Sequence, residues 1–160
     1  MSSETQTDDP IHVCMERWHQ HMNGELEGGF DAILHPDVTF ISPVVFTPQE
    51  GIDVTKLYLM AAGGTLGGGN KDRAEREAAE ADGKAFRYTK KVLDGHHAVL
   101  EFETYMGGKY VNGVDIFTCD DDGMITELKV MIRPLQAVNI VHEQMKAMLE
   151  TLGSSETSGA

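Results

Sequence analysis

Residues 110–135 read YVNGVDIFTCDDDGMITELKVMIRPL, and this stretch decides the fold. Tyr110 to Cys119 and Met124 to Arg133 alternate apolar and polar residues with the period of a strand, and Asp121-Asp122-Gly123 between them has turn chemistry. The two runs form a hairpin. Its alternation sets one carboxylate, Asp115, in an apolar face. With Asp120 pairing near Gly123, Asp115 stands opposite Leu128, and Val130 and Ile132 share its side. A register displaced by one residue brings Lys129, Met131 and Arg133 to that side and makes Asp115 an ordinary ion-pair partner. The first register is favoured because it turns both basic residues outward.

Working back from the hairpin, Ala85–Leu93 and Ala98–Met106 alternate in the same way, with turns at Asp94-Gly95 and Gly107-Gly108. Four strands therefore make an antiparallel meander. Upstream, Ile11, Met15, Trp18, Met22 and Leu26 recur at helical spacing and predict a first helix over residues 10–27. A short second helix over Phe30–Leu34 ends before Pro36, a strand covers Val38–Ile41, and a third helix over Gly51–Ala62 stops at Gly63-Gly64. After Pro134, the residues Leu135, Val138, Val141, Met145, Met148 and Leu152 give a last amphipathic helix. Helices, then a sheet, then a helix predict an α+β fold with helices packed on one face of a curved antiparallel sheet. The small, polar ends, residues 1–9 and 153–160, are expected to be disordered around one domain spanning 10–152. Residues 63–83, which mix GGTLGGGN with DRAEREAAEAD, read as a mobile loop with one exposed helical turn.

The balance of 26 acidic against 13 basic residues, a net charge of −13, repels a nucleic-acid backbone. No apolar run reaches the length of a membrane span, and the start MSSETQTDDP lacks the basic and apolar parts of a signal peptide, so a cytosolic protein is expected. The two cysteines, Cys14 and Cys119, are expected to be unpaired.

Asp115 is the candidate for chemistry. Burial without a cation disfavours the ionised carboxylate and raises its pKa, which leaves an acid available near neutrality. The competing reading is a structural acid that accepts a hydrogen bond and orders the core. Other patterns are weaker. His12, Glu16 and His19 share a side of the first helix without an evident fourth ligand, so no metal site is expected. Gly63–Gly69 precede no Lys-Ser or Lys-Thr and follow no strand, which excludes a phosphate or dinucleotide loop, and Asp120–Asp122 lack the glutamate of a calcium loop. No cofactor is implied.

The segments RWHQHMNGELEGGFDAIL and HPDVTFISPV, with the finish GVDIFTCDDDGMITELKVMIRPL, resemble the nuclear transport factor two-like superfamily in its SnoaL-like branch, over roughly residues 10–150. The resemblance implies a curved sheet wrapped by helices into a cone with an internal pocket, and pairing of two copies through their sheets. The ketosteroid isomerases of that superfamily carry a tyrosine on the first helix, an aspartate base after the first strand and an oxyanion-binding aspartate on a later strand. These positions fall on Trp18, Ser42 and Asp115, and only the last is retained. Limonene epoxide hydrolases carry an Asp-Arg-Asp set, whereas Glu101-Phe102-Glu103 and Lys129-Val130 here lack the arginine and the last acid. Neither mechanism is supported. The resemblance to SnoaL-like polyketide cyclases leaves proton management in an aldol closure as an analogy.

The expected pocket wall is Trp18, Phe40, Ser42, Phe46, Tyr58, Leu100, Phe102, Leu128, Val130 and Ile132 around Asp115. It suits a hydrophobic, oxygenated small molecule. Two functions are open: a cofactor-free isomerase, lyase or cyclase, or a ligand-binding or interaction domain in which Asp115 is structural. A homodimer through the outer sheet face, which bears Glu101, Glu103, Lys129, Met131 and Arg133, is expected in either case.

Overall fold

The computed structural model describes residues 9–65, 83 and 85–157. Helix α1 spans Pro10–Met22, and a 3-10 turn at Gly29–Ala32 leads into strand β1, Leu34–Ile41. Strand β2 is Gln49–Glu50, and helix α2 is Ile52–Thr65. Strands β3 (Arg87–Asp94), β4 (His97–Met106), β5 (Lys109–Cys119) and β6 (Ile125–Arg133) follow, and helix α3 (Leu135–Thr157) closes the chain. The expected loop over residues 63–83 falls almost wholly outside the described residues. Its first three, 63–65, extend α2.

One sheet of six strands runs in the order β2-β1-β6-β5-β4-β3. The meander β3 to β6 is antiparallel throughout, and at Gly107-Gly108 both residues have positive φ (54° and 78°), as a tight two-residue hairpin between Met106 and Lys109 requires. The sheet as a whole is mixed, which corrects the antiparallel expectation: β1 lies parallel to β6, with Phe40 beside Leu128. Helix α2, which follows β1 and packs against it, makes the connection to the meander a crossover rather than a hairpin, and a crossover lets the first and last strands run the same way. β1 also begins earlier than expected and runs through Pro36. The register shifts between Leu34 and Thr39, so the proline falls in an irregular stretch where no ladder bond is lost.

Helices α1, α2 and α3 all cover the same, inner face of the sheet. Ile11, Cys14, Met15 and Trp18 of α1 pack with Leu59 of α2 on Phe40, Ala98, Leu100, Phe117 and Leu128. A second cluster joins Ala61 of α2 to Ala137, Val141 and Met145 of α3 over Phe102, Met106 and Val111. α1 is shorter than its apolar spacing predicts. It ends at Met22 because Asn23-Gly24 turns the chain, and Met22 is left 42% exposed instead of joining the stripe. The two cysteines are free and buried, and the Cys14 thiol, pushed up to about 12 by burial and by neighbouring Cys119, is held protonated. Helix α3 continues five residues past Leu152 to Thr157, beyond the boundary expected for the folded domain. No helix among the described residues is long and apolar enough to cross a membrane.

Candidate active site

Asp115 lies in the middle of β5 with Leu100 beside it on β4 and Val130 on β6. This is the inner face, as the outward placement of Lys129 and Arg133 predicts, but the partner differs: Leu128 stands opposite Phe117, two residues from the expected register. The reason is local. The turn pairs Asp120 with Met124 through the N–H of Asp120 and the carbonyl of Met124, and a bulge between Thr118 and Cys119 adds one more residue. Two single-residue shifts restore the original face.

Asp115 is 8% exposed, and burial raises its pKa from 3.8 to about 7. The hydrogen bond from Tyr88 acts in the opposite sense and is the smaller effect. Thus at neutral pH the protonated and ionised forms coexist, the condition under which a carboxyl group both gives and takes a proton effectively.

Tyr88 on β3 is the partner that the sequence reading missed. Its hydroxyl donates to Asp115 Oδ2 at 2.8 Å and accepts from Trp18 Nε1 at 3.0 Å. The indole N–H is a donor only, so it occupies the phenol oxygen as acceptor and obliges the phenol proton to point at the carboxylate. Burial and the nearby carboxylate push the tyrosine pKa above its ordinary value, so the proton stays on the phenol. The chain Trp18–Tyr88–Asp115 therefore has a fixed polarity. The other carboxyl oxygen, Oδ1, receives no hydrogen bond from the described residues.

Three elements build this chain. Trp18 projects from α1, 7% exposed, with its ring edge-on to Phe117 at 5.0 Å, so helix packing sets the N–H. Tyr88 depends on a bulge between Tyr88 and Lys90: Lys91 pairs with Leu100 and Leu93 with Ala98 on the inner side, and simple alternation back from them would send Tyr88 outward. The inserted residue flips Tyr88 inward, opposite Phe102. The aromatic pair Phe86 and Tyr88, two residues apart, was the available signal in the sequence. His19 flanks the tyrosine ring at 5.9 Å and meets Lys91 Nζ at 3.1 Å, with its pKa lowered by burial and by that lysine.

The other expected wall residues divide into three sets. Phe40, Leu100, Phe102 and Leu128 are inner-face core residues, and Val130 and Ile132 are half-buried beside them. Phe102 stacks on Phe86 at 5.0 Å and lies over Gly113, where an added Cβ would come 2.5 Å from the Phe102 ring. Ser42 is buried at the end of β1, but its Oγ accepts the N–H of Val44 at 3.2 Å, a turn-forming contact. Phe46 is corrected: it is fully exposed, because beyond Pro43 the chain leaves the sheet and strand alternation no longer places side chains. Tyr58 of α2 lies tilted against Phe40, ring centres 5.6 Å apart, and lines an open cleft of about 330 Å³ with Val44, Val45, Met145 and Leu149. Asp115 does not line that cleft. Tyr58, Tyr88 and Val130 pack against both core clusters, so they stand between the two halves of the core.

No protein-family model and no curated protein matches the sequence. Solved structures do match it. The chain is similar to a crystal structure described as a steroid delta-isomerase from Pseudomonas aeruginosa, with 25% identity and a TM-score of 0.75 over 91% of this chain and 95% of that one. A cystatin-like protein from Silicibacter pomeroyi aligns at 24% identity and a TM-score of 0.67, covering 86% of each chain. A SnoaL-like polyketide cyclase, so described with a putative role, from Jannaschia sp. CCS1 shares the fold at 13% identity and a TM-score of 0.55, over 83% of this chain and 92% of that one. Curved sheet, helices on its inner face and a carboxyl group between them define a cystatin-like α+β cone. The chain shares the cystatin-like, nuclear transport factor two-like fold of these structures.

Proposed function

We propose that this chain is a cofactor-free acid–base enzyme, an isomerase, lyase or cyclase acting on a hydrophobic oxygenated substrate, with Asp115 as the group that transfers the proton. The observation that carries this reading is the polarised chain Trp18–Tyr88–Asp115, which engages Oδ2 and leaves Oδ1 for a substrate oxygen. Protonated Asp115 donates to an oxyanion as it develops, and ionised Asp115 accepts a proton from carbon or hydroxyl. Tyr88 and Trp18 are positioning residues. Similarity to a structure described as a steroid delta-isomerase supports the reaction class. Ser42, with its Oγ committed to Val44 N–H, is no general base, so steroid double-bond migration by two carboxylates is not the reaction proposed.

The test is deuterium incorporation from heavy water into a panel of enolisable polycyclic ketones, followed by mass spectrometry. Asp115→Asn should lower the exchange rate by about 100-fold or more. Full exchange in that variant overturns the reading.

A second reading is a non-catalytic binding or interaction domain, favoured by Ser42 standing in place of a second acid, with its Oγ taken up by Val44 N–H. It expects no exchange with any ketone. Either reading carries two further inferences, a homodimer formed through the outer sheet face and a cytosolic location; the free, buried thiols are consistent with the latter.

A further inference from the structure

We propose that the groove between the segment after β1 and helix α3 is a binding site for an apolar organic anion, a ring-rich or long-chain body carrying a carboxylate or sulfonate. Two adjoining cavities of about 340 and 330 Å³ share Val44, Val45 and His142, so they form one continuous groove. Each lies in the volume range of a small-molecule site. One wall is apolar, made by Val44, Val45 and the wholly exposed ring of Phe46. Tyr58, Met145 and Leu149 continue that apolar surface along the floor.

The opposite wall is different. Asn139, His142 and Lys146 all line the groove, at positions i, i+3 and i+7 of α3, which places them in one stripe along the helix. All three side chains present N–H donors, and Lys146 adds a full positive charge in a chain of net charge −13. Glu150 lines the far end beside Leu149, so an anionic group seats toward His142, where the two cavities meet, with Asn139 beyond it in the first. A neutral hydrocarbon leaves the donor stripe unused, and a cation is opposed by Lys146. An apolar anion satisfies both walls. Asp115 is no part of this groove, so the proposal stands or falls separately from the proposed proton transfer.

The full chain is titrated with 1-anilinonaphthalene-8-sulfonate, whose fluorescence reports apolar contact, beside the uncharged N-phenyl-1-naphthylamine. Saturable binding of the sulfonate at one site is expected. Lys146→Gln combined with His142→Gln should weaken the sulfonate by about fivefold, the scale of one exposed charge contact, and leave the neutral amine unchanged. Val45→Asp should weaken both probes, and Asp115→Asn neither. Circular-dichroism melts of the variants guard against misfolding, since the three altered groove positions are not fully buried. Sulfonate binding that is unsaturable, or equal in the double variant and the parent, overturns the proposal.

Discussion

The hydroxyl of Tyr88 donates a 2.8 Å hydrogen bond to Oδ2 of Asp115 from two strands away in the sheet, reaching across β4. Because Trp18 donates to the same hydroxyl, Tyr88→Phe strands two groups at once: the indole N–H loses its acceptor and the carboxyl its donor. The expected cost is roughly 1–3 kcal/mol in unfolding free energy, and Asp115 should titrate above its present value of about 7, since the one hydrogen bond that lowers it is gone. Carboxyl-carbon NMR titration checks the second effect. An unchanged titration would mean that Tyr88 does not act on Asp115.

Folding stability should depend on pH through this acid. Its ordinary value is 3.8 and its folded value about 7, so between them the folded state keeps a proton that the unfolded chain has released. The contribution is fully present below the lower value and is lost as pH rises through the upper one, by at most about 4 kcal/mol. Asp115→Asn removes this dependence and keeps an oxygen to accept from Tyr88. Urea denaturation near about pH 5 and about pH 8 should show the variant gaining on the parent as pH rises. Parallel profiles would contradict the raised pKa.

Gly113 faces Phe102 so closely that a methyl group there would stand 2.5 Å from that ring and 2.6 Å from the carbonyl oxygen of Met131. The ring has Phe86 stacked on it, and the carbonyl is backbone, so neither gives way easily. Gly113→Ala should destabilise by about 1–3 kcal/mol. A melting temperature equal to that of the parent would show that β5 and β6 part without cost.

The Thr55 hydroxyl is fully buried on α2 and has no hydrogen-bond partner among the described residues. Valine has nearly the same shape and no polar atom to desolvate. Thr55→Val should therefore stabilise the fold by about 1 kcal/mol, a rise of roughly 3 °C in melting temperature for a domain of this size. A fall would reveal a partner for the hydroxyl.

On the outer sheet face, Val99 and Met131 are 37% and 52% exposed, with Val114 lying between Glu101 and Met131. Around them, Asn112 links Glu101 at 3.0 Å and Arg133 at 3.3 Å, which gives a patch with an apolar centre and both signs of charge. Sedimentation velocity at micromolar concentration should find a dimer that Met131→Asp converts to monomer. A parent chain that is monomeric under those conditions removes the dimer.

The sequence alone determined the meander and favoured an inward Asp115 over the alternative register, because period-two alternation and turn residues are local properties. It also determined that no acid stands at Ser42. Tertiary structure decided the rest. A bulge at Tyr88 and a bulge at Thr118 each displace the register by one residue, and alternation cannot count a residue that the ladder skips. That is why Tyr88 went unseen and why Asp115 faces Val130 instead of Leu128. The parallel pairing of β1 with β6, and the meeting of Trp18 with a tyrosine seventy positions away, depend on contacts between distant segments. Local pattern carries no information about those, and so the sequence supplied the acid while packing supplied the hydrogen bonds that orient it.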